Sequence, residues 1–315
     1  MIQVHRDLAQ LPKFKNAVIT IGTFDGVHLG HQQIIRLLKA EAASINGETV
    51  IITFHPHPRK VVTNGKSDLK ILNTLSEKTE LLNKLGIDHL VVVSFNDAFA
   101  NQTAEEYIEN FLVKRFNPHT IIIGYDHRFG KNRLGDYHLL EKMGERFHYK
   151  VREIPERVLH EIIISSTKIR EALLRGDVNT ANEFLGYNYF FEGRVVEGNK
   201  VGRTIGYPTA NIQIEDEEKL VPGNGVYAVT INIEADDAVY KGMMNIGVRP
   251  TVDGTTRTIE INIFGFDGDI YGKKMHVYLN TYLRGEIKFS GLDQLKEQLA
   301  KDKIAATEKL RDGLL

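Results

Sequence analysis

The chain has 315 residues, with 40 Lys and Arg against 41 Asp and Glu, so its formal net charge is −1. That balance gives no electrostatic case for nucleic acid or an anionic membrane as a partner, and the absence of cysteine excludes disulfides and thiolate metal sites. The length fits about two domains, no apolar run approaches the roughly 20 residues of a membrane span, and the opening MIQVHRDLAQLPKFKN lacks the layout of a signal peptide, so a cytoplasmic protein is expected.

In chain order, AVITIG (17–22), TVIITF (49–54), HLVVVSF (89–95) and TIIIG (120–124) are β-branched runs that suit strands buried on both faces. Between them, HQQIIRLLKAEAA sets Ile34, Ile35, Leu38 and Ala42 on one helical stripe. TAEEYIENFLVKRF opens with Thr103 and Glu106 at capping-box spacing. Strands alternating with helices predict an α/β unit with a doubly wound parallel sheet. Its ligand belongs beyond the carboxyl ends of the strands, in the segments after Ile21, Phe54 and Ile123. Near residue 187 the pattern changes. FFEGRVVEG, GVYAVTINI, YKGMMNIGV, RTIEINIFGF and KKMHVYLNTYL predict an antiparallel barrel or sandwich, and LDQLKEQLAKDKIAATEKL a terminal amphipathic helix packed on it. The domain boundary is placed between 186 and 187.

GTFDGVHLGH (22–31) runs from the first strand into a helix. Gly22, Gly26 and Gly30 let the backbone approach a ligand, and the helix start offers free N–H groups and a positive dipole end to phosphate. His28 and His31, three apart, point the same way and can donate to phosphate oxygens as charge builds. The bland alternative is a strand-to-helix turn with two surface histidines. A second alternative adds His55 and His57 of FHPHP as zinc ligands, against which no carboxylate stands at ligand spacing and Pro56 and Pro58 suit a pocket wall. GYDHRFGKNRLGD (124–136) lies at the same edge. In ISSTKIREALL (164–174), Ser165, Ser166 and Thr167 read as helix caps or, with Lys168 and Arg170, as a second anion cradle. No GxxxxGK[ST] occurs, so the P-loop reading fails.

GNKVGRTIGYPTAN (198–211) is glycine-spaced at Gly198, Gly202 and Gly206, with Lys200 and Arg203 adding charge. Thr209 and Asn211 carry neutral oxygens of the kind that suit a hard cation on ATP phosphates. A β-hairpin turn explains the same segment. Glu260, between Ile259 and Ile261, reads by alternation as the solvated face of a strand.

GTFDGVHLGH, FHPHP, GYDHRFGKNRLGD and ISSTKIR together resemble the adenylyltransferase half of the prokaryotic bifunctional riboflavin kinase/FAD synthetases. GRTIGYPTANI, PGNGVYA, MNIGVRPT, IEINIFGFDGDIYGK and LRGEIKF look like its kinase barrel. The resemblance implies a Rossmann-like nucleotidyltransferase domain over 1–186 and an antiparallel β-barrel riboflavin kinase with a terminal helix over 187–315. It implies that riboflavin and ATP give FMN, and FMN and ATP give FAD. By the same resemblance His28 and His31 act on ATP phosphates. Gly22, Phe24, Asp25 and Gly30 line the nucleotide pocket, and Ser165, Ser166, Thr167 and Arg170 hold phosphate. Asp126 and Phe129 face the flavin. In the barrel, Gly202, Thr209 and Asn211 hold Mg²⁺-ATP, Glu260 is the base and Arg284 belongs to a flavin loop. The sequence departs at His127, where the family often has an aromatic, at Asn262 for His and at Gly265 for Asp. Two other readings stay open: a barrel that binds flavin with little kinase activity, and a nucleotidyltransferase for another acceptor.

Overall fold

The computed structural model describes residues 1–63, 67–154, 164–198, 201–251 and 254–311. Lys200 lies outside them. The chain divides into two compact units, Met1–Ile71 with Leu75–Ser165, and Leu72–Thr74 with Ser166–Leu315. By packing, the helices Ser166–Leu174 and Val178–Leu185 therefore go with the second unit.

The first unit is a sheet of six parallel strands, β1 (Gln3–His5), β2 (Val18–Ile21), β3 (Thr49–His55), β4 (His89–Ser94), β5 (Thr120–Gly124) and β6 (Lys150–Ile154), in the order β1-β4-β3-β2-β5-β6. β2 is buried throughout, and Val50, Ile51, Ile52, Leu90, Val91 and Ile121 are wholly inaccessible. This is the reason their sequences run apolar without alternation. Strand order reverses between β2 and β5, which is where a doubly wound sheet opens a crevice at its carboxyl edge. The helix Leu29–Ser44 turns Ile35, Leu38 and Ala42 inward, as the stripe predicts, while Ile34 is half-buried. At the other helix both capping-box bonds form, Glu106 N–H to Thr103 Oγ1 at 3.1 Å and Thr103 N–H to Glu106 Oε2 at 2.8 Å. Its continuation, Tyr107–Val113, is π-helical rather than α-helical, and that wider turn buries Tyr107, Ile108, Phe111 and Leu112 together.

The second unit is a closed antiparallel barrel of β7 (Phe190–Val196), β8 (Ala210–Gln213), β9 (Gly225–Ile233), β10 (Val239–Thr251), β11 (Gly254–Ile263) and β12 (Lys274–Arg284), in the order β10-β11-β8-β7-β12-β9. The β9–β10 pairing closes it, so this sheet, unlike that of the first unit, has no open edge among the described residues. The terminal helix Leu292–Lys309 sets Ala306 against Ala228 and Met243, with Leu310 just past its end in the same cluster. Part of the barrel's outer face is thus apolar and covered. A buried lysine, Lys219, donates to the backbone oxygens of Leu72 (2.6 Å) and Phe190 (2.8 Å) and lies 4.5 Å over the Tyr189 ring. With Tyr187 Oη bonded to Asn73 Oδ1 at 3.2 Å, it stitches Leu72–Thr74 into the barrel unit. Among the described residues no helix is long and apolar enough to cross a membrane.

Candidate active sites

Between β2 and the first long helix the backbone takes a tight course. Phe24 (φ 47°), Gly26 (φ 87°) and Val27 (φ 34°) are all left-handed. For β-branched Val27 this is a rare, costly conformation that the surroundings must hold. Gln32 helps, donating to the Val27 carbonyl at 3.0 Å. His28 then caps the helix Leu29–Ser44, its Nδ1 accepting from the His31 N–H at 3.4 Å. Because Nδ1 is the acceptor, the proton of a neutral His28 sits on Nε2, which is left as a donor. The His28 and His31 rings stack at 3.7 Å and Phe24 lies 4.9 Å from His31. A side chain at position 30 would press on the His28 ring, at 3.1 Å from Cε1, so Gly30 is what lets the ring fold back. Burial, then the charges of His28 and Lys78, holds the His31 pKa well below the ordinary histidine value, so this imidazole is neutral at pH 7.

The carboxyl ends of β2, β3, β4 and β5 together wall a cavity of about 1080 Å³. Gly22 and Thr23 come from the first, Phe54 and His57 from the second, Phe95 and Phe99 from the third, and His127 and Phe129 from the fourth. Phe129 is buried and stacks on Tyr107 at 5.0 Å. Arg59, Arg128, Lys131 and Arg133 bring positive charge against the carboxylate of Asp97, and Arg128 is partly neutralised by Asp136 at 2.9 Å. An aromatic cleft with surplus positive charge suits a planar ligand carrying phosphate. Asp126 is exposed and does not line it. Burial pushes the His127 pKa down to about 4, so this departure from an aromatic stays uncharged. His57 caps the short helix Pro58–Val62, its Nδ1 accepting from the Arg59 N–H at 3.2 Å. Among the described residues no three His, Asp or Glu side chains converge as metal ligands. Ser166, Thr167 and Arg170 stand in the first two turns of the helix Ser166–Leu174, which belongs to the second unit, and Ser165 ends the first.

In the barrel, a cavity of about 330 Å³ lies between the wall and the terminal helix, and Gly202, Thr209, Glu260 and Arg284 all line it. Ile259 and Ile261 point to the core as alternation predicts, but the outward face that carries Glu260 is half-covered here instead of solvated. Glu260 pairs in register with Asn211 on β8 and with Asn245 on β10, so three polar side chains stand in one row. Thr209 also lines a second cavity of about 570 Å³ with Arg203, Asp267 and Tyr271. The threonine is therefore the shared wall of two pockets. The loop before it is partly helical, over Val201–Thr204. Gly202 is needed for approach, since a side chain there would strike the Tyr207 carbonyl, and Gly198 lies against the Asn211 amide in the same way. Asn262 is buried and donates from Nδ2 to the Pro208 carbonyl at 2.7 Å, fixing the residue before Thr209. Gly265 has φ 65°, a turn conformation that an L-residue rarely takes.

Arg284 is less free than a ligand-binding arginine. Its Nε and one Nη donate to Asp302 at 2.8 and 2.6 Å, and the other Nη to the Gly285 carbonyl at 2.8 Å. The pair is largely out of water, with side-chain exposures of 19% and 4%. Asp302→Ala is expected to destabilise the barrel by roughly 3 kcal/mol, because it strands a buried guanidinium. The check is the denaturant midpoint of the variant, which a surface pair would leave unmoved.

Two family models match the chain, FAD synthetase over residues 11–168 and riboflavin kinase over 185–310. The bifunctional riboflavin kinase/FMN adenylyltransferase of Buchnera aphidicola is 39% identical over 290 residues, 91% of this chain and 92% of its own. The protein of the same name from Escherichia coli K12 is 35% identical over 308 residues, 98% and 97% of the two chains. A solved structure described as a macrolide-efflux protein from Streptococcus pneumoniae is 32% identical and superposes with a TM-score of 0.85 over 97% of this chain and 98% of that one.

Proposed function

The chain belongs to the bifunctional riboflavin kinase/FMN adenylyltransferase family and makes FAD from riboflavin through FMN, and from that premise we propose which of its side chains carry each step. The observation that bears most weight is the row Asn211–Glu260–Asn245, whose Glu260 and Asn245 line one cavity with Thr209, so that a carboxylate stands beside neutral oxygens suited to a cation on phosphate. In the kinase step, Glu260 accepts the proton of the riboflavin terminal hydroxyl as its oxygen bonds to the γ-phosphorus of ATP and ADP leaves. Gly202 lets the loop close on the Tyr207 carbonyl at the nucleotide's side of the cavity, and Asn262 holds the loop through the Pro208 carbonyl. Arg284, committed to Asp302, shapes the flavin wall.

Thr209 and Asn211 suit a magnesium ion that arrives on ATP. Their oxygens are neutral and Gly198 leaves the Asn211 amide room. Magnesium there would neutralise phosphate oxygens and so favour transfer.

In the adenylyl step, a phosphate oxygen of FMN attacks the α-phosphorus of a second ATP and pyrophosphate leaves. No protein nucleophile is required. His28, and His31 beside it, donate hydrogen bonds to the oxygens where charge builds. Phe24, Asp25, Gly22 and Gly30 form the nucleotide side of that turn, and Phe129 offers the flavin an aromatic face. For Asp126, which is exposed, and for Ser165, Ser166, Thr167 and Arg170 as phosphate holders, the support is the resemblance of their motifs. The working division of labour is adenylylation by residues 1–186 and phosphorylation by 187–315, in the cytoplasm. The test is chromatography of the products from riboflavin, ATP and Mg²⁺. FMN should appear first and FAD follow. FAD from supplied FMN without any FMN from riboflavin would instead make the barrel a flavin-binding module.

A further inference from the structure

One buried cation is not used by either step. Lys78 lies on the helix Leu75–Lys84 and is only 8% exposed. Its Nζ donates to the Thr23 carbonyl at 2.8 Å and lies 3.5 Å from Thr53 Oγ1. Thr53 Oγ1 donates to the same carbonyl at 3.1 Å. The carboxylate of Asp25, 2% exposed, is close enough to oppose electrostatically the burial that lowers the lysine's pKa. Thr23 and Asp25 flank Phe24, the first left-handed residue of the strained turn that delivers His28 and His31. A lysine costs several kcal/mol to bury unless paired, so it is a demanding way to satisfy one carbonyl that Thr53 already serves.

We propose that Lys78 is a positioning residue for adenylyl transfer: by gripping the Thr23 carbonyl and facing Asp25 it holds residues 22–27 in the left-handed course that presents the two histidines to phosphate. This rests on the functional reading of His28 and His31 given above. The ammonium does not reach the ligand cavity; it acts through the turn. The strain at Phe24 and Val27 supplies the need: without the ammonium, the Thr23 end of the turn keeps the Thr53 hydroxyl while Gln32 holds only the Val27 end, and the course between them can relax toward ordinary backbone. Relaxation by about 1 Å misaligns the reacting phosphates, a displacement that costs about 10²-fold in rate.

The test is Lys78→Ala in the full chain, assayed for FAD formation from FMN and ATP with and without added ethylammonium chloride. The expected result is a fall in kcat of about 10²-fold, with KM for FMN moving about threefold or less, and a saturable partial recovery with ethylammonium that tetramethylammonium, lacking N–H donors, does not give. Riboflavin phosphorylation should stay at the wild-type level. A wild-type kcat in Lys78→Ala overturns the inference, as does a slow variant that no primary amine restores. Should the alanine variant not fold, Thr53→Val, isosteric and suited to a strand, removes the second grip on the same carbonyl. It should lower kcat severalfold, and an unchanged kcat would equally count against the clamp. Failure of the wild-type chain to adenylylate FMN would overturn the functional reading itself, whereas a wild-type Lys78 variant sinks only the positioning role.

Discussion

FAD formation from FMN is expected to fall by about 10³-fold when His28 and His31 are both changed to alanine, with riboflavin phosphorylation near native. The size follows from the geometry. His28 is held as a helix cap with Nδ1 accepting, which puts the proton of its neutral ring on Nε2, and burial keeps His31 neutral, its ring stacked on that of His28 at 3.7 Å. Donors fixed before the reaction begins stabilise the developing charge without reorganising, and one such donor is worth roughly 10² to 10³ in rate. The pair shares one stack and one hydrogen bond, so the double variant should fall short of the product of the single effects. Fold is not at stake, since a lost cap costs about 1 kcal/mol against a typical stability of roughly 5–15 kcal/mol. Initial rates of both reactions decide it: the variant should accumulate FMN. FAD made at the native rate would take the histidines out of the mechanism.

Glu260→Gln is expected to lower riboflavin phosphorylation by about 10²- to 10⁴-fold. Glutamine keeps the size of the side chain and its place in the row with Asn211 and Asn245, but it cannot take a proton. If Glu260 were only a half-covered strand residue, the change would shift stability by a few tenths of a kcal/mol and leave rates alone. FAD synthesis from supplied FMN should persist, because none of the residues assigned to it belongs to the barrel strands. Riboflavin phosphorylation at the native rate, with magnesium saturating, would remove Glu260 from the reaction.

Much of this was legible in the residues, and the exceptions have physical causes. The parallel sheet announced itself because strands buried on both faces cannot alternate. The ligand edge followed from the rule for such sheets, and segments after Ile21, Phe54 and Ile123 all line the cavity there, whereas the strand order was not legible. Lys78 was invisible. In LSEKTELLNK no motif marks Glu77 and Lys78 as interior, yet they are 2% and 8% exposed beside the buried Leu81 and Leu82, and Lys78 is spent on the Thr23 carbonyl. Phe95 and Phe99 carry no motif, and only the fold brings them beside Phe54 at the sheet edge. For Glu260 the alternation was right about direction and wrong about solvent. A barrel wall has an outside, but the terminal helix and the loop ahead of it roof over that part of it, and no local pattern encodes what a segment thirty residues later will cover. Likewise Asn262, read as a departure from histidine, turns out to be a strut for Pro208.

The stitch at Leu72–Thr74 bears on inheritance. A fused gene usually keeps its parts as contiguous cassettes, each open to exchange at one junction. Here the barrel borrows three residues from inside the reading frame of its neighbour, and the ammonium of Lys219 takes one of its carbonyl partners from them. Because that partner is a main-chain carbonyl, any residue can supply it, but only where the recipient's chain takes the same path past the ammonium. A downstream segment moved by itself thus keeps its buried ammonium satisfied only in a host whose backbone at 72–74 follows this course.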